Sequence, residues 1–182
     1  MQNNCAHPEA KPERILLLAC GNTFRGDDGV GWCIGRAVKL RPPCFALTVI
    51  LTRQLLPEHA EAISAAEVVV FVDCDATTAP GAVSTLLIQP AETIPRTLTH
   101  HLDPASLLRL SRDLYARIPA RAMLVTVGGE SFEWTDRLSR TVKAAIPKAL
   151  EEVRLALLQC SEPDAPMSPA ATQHGATPST LC

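Results

Sequence analysis

The sequence predicts an α/β domain with a mainly parallel twisted sheet of about five strands and helices on both faces. Three observations predict it. Apolar runs of strand length alternate along the chain with segments whose apolar residues recur at helical spacing. Two of those runs are continuously hydrophobic, as strands covered on both faces must be. Hydrophobic residues make up 47% of the chain but aromatics only 4%, so the core has to be assembled from Leu, Val, Ile and Ala rather than from aromatic side chains.

Each element follows in order. Residues 14–20 (RILLLAC) form an unbroken apolar run that stops at Gly21-Asn22, the profile of a buried strand. Residues 28–40 place Val30, Ile34, Ala37 and Val38 at helical spacing, and Pro42-Pro43 closes the segment. A second strand is expected over 45–52 and a short helix over 57–65, with Pro57 suited to a first helical turn. Residues 67–73 (EVVVFVD) are the most β-branched run and the best candidate for the central strand. A further strand over 82–88 follows the Pro80-Gly81 turn. Over 103–115, Asp103 can cap a helix and Pro104 can occupy its first turn, while Leu107, Leu108, Leu110 and Leu114 line an apolar stripe. Residues 122–127 (AMLVTV) are another strand, ending at Gly128-Gly129. The last helix begins near Ser139 and carries Val142, Ile146, Ala149, Leu150, Val153 and Leu157 on one face, with Pro147 expected to kink or restart it. This order implies right-handed crossovers.

Composition narrows the function classes. With 182 residues the chain is one domain plus tails, at roughly 150 residues per domain. Lys and Arg total 17 against 19 Asp and Glu, so there is no basic excess to draw the chain to nucleic acid or an anionic membrane. No apolar run approaches the ~20 residues that cross a bilayer, so no membrane insertion is expected. The 7 cysteines are an odd number with no C-x-x-C pair, which speaks against a disulfide framework or a zinc knuckle and for a reducing, cytoplasmic setting. Residues 1–13, with Pro8 and Pro12, read as an N-terminal tail. Residues 161–182 are Pro-rich with almost no large apolar side chain and read as a disordered tail. The domain is expected over 14–160.

Ligands of open α/β sheets bind at the carboxyl ends of the strands, and three such ends carry unusual residues. The first, GNTFRGDDGVG at 21–31, is glycine-rich and opens a helix. It matches neither nucleotide spacing, and Asp27 and Asp28 would repel a phosphate there. One aspartate would read as a helix cap; the pair favours a site that receives a cation or a proton. The second end is Asp73-Cys74-Asp75, where Asp73 is equally a loop cap or a functional acid, and the flanking acids disfavour Cys74 as a nucleophile. The third is Thr99-His100-His101-Leu102-Asp103-Pro104. Adjacent histidines at a helix entrance favour metal or acid–base work over a purely structural role. Carboxylate, carboxylate and imidazole together suit a first-row divalent metal. The H-E-x-x-H and G-x-S-x-G motifs are absent.

The glycine-rich motif, together with TRQLLPE at 52–58, VVVFVDCD at 68–75, THHLDPASLL at 99–108 and LVTVGGESF at 124–132, resembles the [NiFe]-hydrogenase maturation proteases. These endopeptidases trim the C-terminal extension of the hydrogenase large-subunit precursor. The resemblance runs from Arg14 to Leu158. It implies an endopeptidase whose Asp28, Asp73 and His100 contact nickel contributed by the substrate precursor, with Asp28 and Asp73 as catalytic carboxylates and His101 as the alternative histidine. A base role for Asp28 would rest on neighbouring Asp27 raising its pKa. The partner implied is the large-subunit precursor. Two other readings stand beside it: an assembly factor that binds the metallated precursor without cutting it, and a nucleotide-binding α/β domain, disfavoured by the acidic turn.

Overall fold

The computed structural model describes residues 14–42, 47–93 and 102–158. The expected tails at 1–13 and 161–182, the start of the second strand at 45–46, and both His100 and His101 lie outside the described residues. The elements are β1 (Ile15–Cys20), a 3-10 turn (Gly26–Gly29) leading into α1 (Val30–Leu40), β2 (Leu47–Thr52), α2 (His59–Ala65), β3 (Val68–Asp75), β4 (Val83–Leu87), α3 (Pro104–Tyr115), β5 (Arg121–Gly128) and α4 (Arg140–Leu158). The sheet order is β2-β1-β3-β5-β4, with β3 at the centre as its β-branched run predicts. The β1–β2, β1–β3 and β3–β5 pairs are parallel, and β4 closes one edge antiparallel to β5.

Strand alternation sends successive side chains to opposite faces, which divides the core into two layers. Leu17, Ala19, Val70, Val72, Val125 and Val127 face α1 and α4, where Val30, Ile34, Val142, Ala149 and Val153 meet them. Leu16, Leu18, Val69 and Phe71 face α2 and α3, where Ala60, Ile63, Leu107 and Leu108 meet them. Leu17, Leu18, Val69, Val70 and Val72 are all fully buried, so the doubly covered centre of the sheet accounts for the uninterrupted hydrophobic runs.

Two expectations about helices are corrected. Leu114 does not join the buried stripe of α3; it is 62% exposed. α3 packs against α2 through Leu107 and Leu108, which share a core layer with Ala60 and Ile63. The stripe instead includes the buried Ser111, whose hydroxyl donates to the Arg117 carbonyl at 3.0 Å. Nor does Pro147 restart the last helix, which runs unbroken over 19 residues. Pro147 and Lys143 both lie on the exposed face, so the carbonyl that a proline cannot serve is open to water. Val142, Ala145, Ala149 and Val153 bind the helix to the sheet on both sides of it.

The junction of α1 with the sheet depends on Gly31. A Cβ there would collide with the Cys20 carbonyl oxygen and come within 2.7 Å of the Val72 carbonyl oxygen, both fixed in the sheet. Gly31→Ala is therefore expected to destabilise the fold by about 1–3 kcal/mol. It should also lift the α1 entrance off the strand ends. A thermal melt checks it: a wild-type Tm would show that the helix can shift without cost.

Candidate active site

The order β2-β1-β3 makes a switch point. From β1 the chain crosses through α1 on one face to β2, and from β2 it returns through α2 on the opposite face to β3. The carboxyl ends of β1 and β3 are thus neighbours from which the chain departs in opposite directions, and such a divergence leaves a crevice. A cavity of about 920 Å³ occupies it, lined among others by Cys20 and Gly21 of β1's end, Thr52 of β2's end, Asp73 of β3, and Asp28. The two candidate carboxylates, 45 positions apart in the chain, therefore share one cavity.

Asp28 is delivered by the 3-10 turn, which neither it nor Asp27 caps with a side chain. Its Oδ2 accepts the Asn22 backbone N–H at 3.1 Å, and the Asn22 side-chain oxygen accepts the Phe24 N–H at 3.1 Å, so the loop after β1 orients the carboxylate. Gly21, at φ +149°, permits this, because a Cβ at that position would collide with the Asp28 carbonyl oxygen.

Asp73 sits inside β3, two residues before its end, rather than in the loop after it. Alternation gives it the same side of the sheet as Val69 and Phe71, the side covered by α2 and α3. Its Oδ1 accepts the Cys74 N–H at 2.8 Å. Burial raises its pKa to about 6, with the charges of Asp28 and Asp75 adding to the rise against the Cys74 hydrogen bond. Arg25 and Arg53 also line the cavity, yet neither forms an ion pair with a carboxylate among the described residues. Neither arginine is among the candidates that the sequence offers. Their positions in GNTFRGDDG and TRQLLPE, each directly after a strand, were the available signal.

Asp27 and Asp28 are not a functional pair. Asp27 is fully buried, and its carboxylate accepts the backbone N–H groups of Glu130 and Ser131 at 2.9 Å each and of Ser139 at 2.6 Å. Burial alone would raise its pKa; these hydrogen bonds and the Ser139 hydroxyl outweigh it and hold the group below the ordinary carboxylate value. It latches the glycine-rich loop to the 130–139 segment. Asp75 is likewise occupied, accepting from the Thr77 N–H and hydroxyl at 2.7 Å each. Cys74 and Cys20 have thiol pKa values pushed up to about 12, by burial first and by the surrounding aspartates second, so neither is a thiolate nucleophile.

The candidate histidines are not among the described residues, but the chain reappears at Leu102, and Leu102, Asp103 and Pro104 line the cavity. Asp103 caps α3 as expected, accepting the Ser106 N–H at 2.7 Å. Among the described residues no group of three His, Cys, Asp or Glu side chains could hold a metal. Asp28 and Asp73 alone would leave such an ion to be completed by other donors.

No family model matches the sequence, and no curated protein matches it. Solved structures do. The hydrogenase maturating endopeptidase HybD from E. coli is 27% identical at a TM-score of 0.67, over 81% of this chain and 94% of that one. This chain is a structural relative of the hydrogenase maturation endopeptidases. The solution structure of an endopeptidase from Escherichia coli is 25% identical at a TM-score of 0.62 over 81% of this chain and 94% of that one. The [NiFe] hydrogenase maturation protease HybD from Thermococcus kodakarensis shares the fold at 24% identity and a TM-score of 0.59, over 79% of this chain and 99% of its own. Sheet and helices are thus those of the maturation-endopeptidase fold. No helix among the described residues is long and apolar enough to cross a membrane.

Proposed function

We propose that this chain is an endopeptidase that removes the C-terminal extension of a nickel-loaded [NiFe]-hydrogenase large-subunit precursor in the cytoplasm. The supporting observation is the meeting of Asp28 and Asp73, neither in an ion pair among the described residues, in the switch-point cavity of this fold. Nickel is part of the substrate in this reading. Asp28, Asp73 and His100 face it, and a precursor without nickel gives the carboxylates nothing to bind. Hydrolysis adds water across the scissile amide: a carboxylate accepts the proton of the attacking water and returns it to the departing amine. Asp73 takes that role in this reading, because burial raises its pKa to about 6, nearer to neutrality than an ordinary aspartate's.

The test is incubation with nickel-loaded and nickel-free precursor, with release of the extension read by mass spectrometry. Cleavage of only the loaded form is expected. Equal cleavage of both would remove nickel from the reaction, and tight binding without cleavage would make the chain an assembly factor.

A further inference from the structure

The sheet has a free edge on the side of the cavity. β2 pairs with β1, and the order β2-β1-β3-β5-β4 leaves its other side without a strand among the described residues. Which of its backbone groups face outward follows from one hydrogen bond. The Gly21 N–H donates to the Thr52 carbonyl at 3.0 Å, so the backbone of Thr52 is turned toward β1. In a strand the N–H and C=O of one residue point to the same side, and the side alternates along the chain. Thr48, Ile50 and Thr52 therefore serve the ladder with β1, while Val49 and Leu51 present their N–H and C=O groups outward. No backbone hydrogen bond among the described residues reaches those outward groups. Natural sheet edges are commonly blunted by a charge, a proline or a bulge. Leu47–Thr52 (LTVILT) contains no charged residue and no proline, and its register with β1 runs without a bulge from Leu47 to Thr52.

This edge runs into the cavity. Leu51, Thr52, Arg53 and Gln54 are consecutive, and all four line it together with Asp28 and Asp73. The outward groups of Val49 and Leu51 repeat at about 6.6 Å, the length of two strand residues, a spacing that the backbone of another extended polypeptide matches. Peptides add to open sheet edges in this way, with the main chain supplying affinity. A strand laid on β2 has one end in the cavity, so the polypeptide that suits this edge is one whose chain continues past Asp28 and Asp73. We infer that the outer edge of β2 takes up the precursor segment around the scissile amide as an added strand, hydrogen-bonded to Val49 and Leu51, which leads that amide to the two carboxylates. This rests on the proposed function, since the strand belongs to that substrate.

The experiment follows amide hydrogen exchange at Val49 and Leu51 in the full-length chain, alone and with saturating nickel-loaded precursor, alongside steady-state cleavage. Both amides are expected to exchange as open edge groups in the free chain and to slow by about tenfold or more with precursor, while Thr48 and Ile50 change little. Val49→Pro removes one outward N–H and leaves the β1 ladder whole, a substitution that edge strands accept. It is expected to raise KM about tenfold with kcat retained, the effect of leaving one peptide carbonyl without its donor. Should that variant fail to fold, the exchange measurement on wild type decides alone. Precursor that binds without slowing Val49 and Leu51, or an unchanged KM in folded Val49→Pro, would overturn the added strand and leave the endopeptidase reading standing. Protection already present in the free chain would overturn it too: if it grows with protein concentration a second copy occupies the edge, and if it does not the chain covers the edge itself. Slowing by a precursor that is never cut would support the added strand and defeat the endopeptidase reading; no binding at all would defeat both.

Discussion

Asp73→Asn is expected to lower kcat/KM for precursor cleavage by about 10²–10⁴-fold, the range that one general base supplies. The substitution preserves shape and can still accept the Cys74 N–H at 2.8 Å, so the loss is chemical rather than architectural. Stability provides the control. Burial raises the folded-state pKa of Asp73 to about 6, above its unfolded value of about 3.9, so the folded chain holds this proton more tightly than the unfolded one. That contribution is complete below about pH 4 and is lost as pH rises through about 6, where the carboxylate ionises beside Asp28. At pH 8 the metal-free Asp73→Asn chain should therefore melt above wild type, and at pH 4 the two should converge. In wild type, kcat/KM should fall as pH drops through about 6, because that ratio reports the free enzyme. An inactive variant with a lowered Tm at pH 8 would show instead that Asp73 is a structural group.

The sheet was legible because burial on both faces leaves little choice of residue: the runs at Ile15–Cys20 and Val68–Asp75 can only be central strands. Asp73 was legible for the same reason, as a charge at the end of such a run. Less legible was anything decided by the packing of one element past another. Leu114 follows the same period as Leu107 and Leu110 yet is exposed, and α3's own periodicity does not encode where its cover ends. The role of Asp27 depends on donors more than 100 positions away in the chain, so adjacent aspartates in one turn looked like a pair when one serves the fold and the other lines the cavity.

That division of labour gives the second large expected effect. Asp27→Asn keeps the size of the side chain but replaces one carboxylate oxygen by an NH₂ that can only donate. With the amide oxygen in the Oδ2 position the Glu130 and Ser131 N–H groups keep their acceptor and the Ser139 N–H loses its own, at a cost of about 1–3 kcal/mol against a typical total stability of about 5–15 kcal/mol. For a chain of this size the Tm should fall by roughly 2–12 °C. The pH signature is opposite to that of Asp73. Because the folded-state pKa of Asp27 is lowered, its contribution is present above the unfolded value of about 3.9 and disappears as pH falls through the folded value. Wild type and Asp27→Asn should therefore differ most near neutrality and converge in acid. At temperatures where the variant remains folded, hydrogen-exchange protection at Glu130, Ser131 and Ser139 should drop. A variant with wild-type Tm at pH 7 would mean that the Ser139 N–H finds another acceptor, and the division between a structural and a cavity-facing aspartate would fail with it.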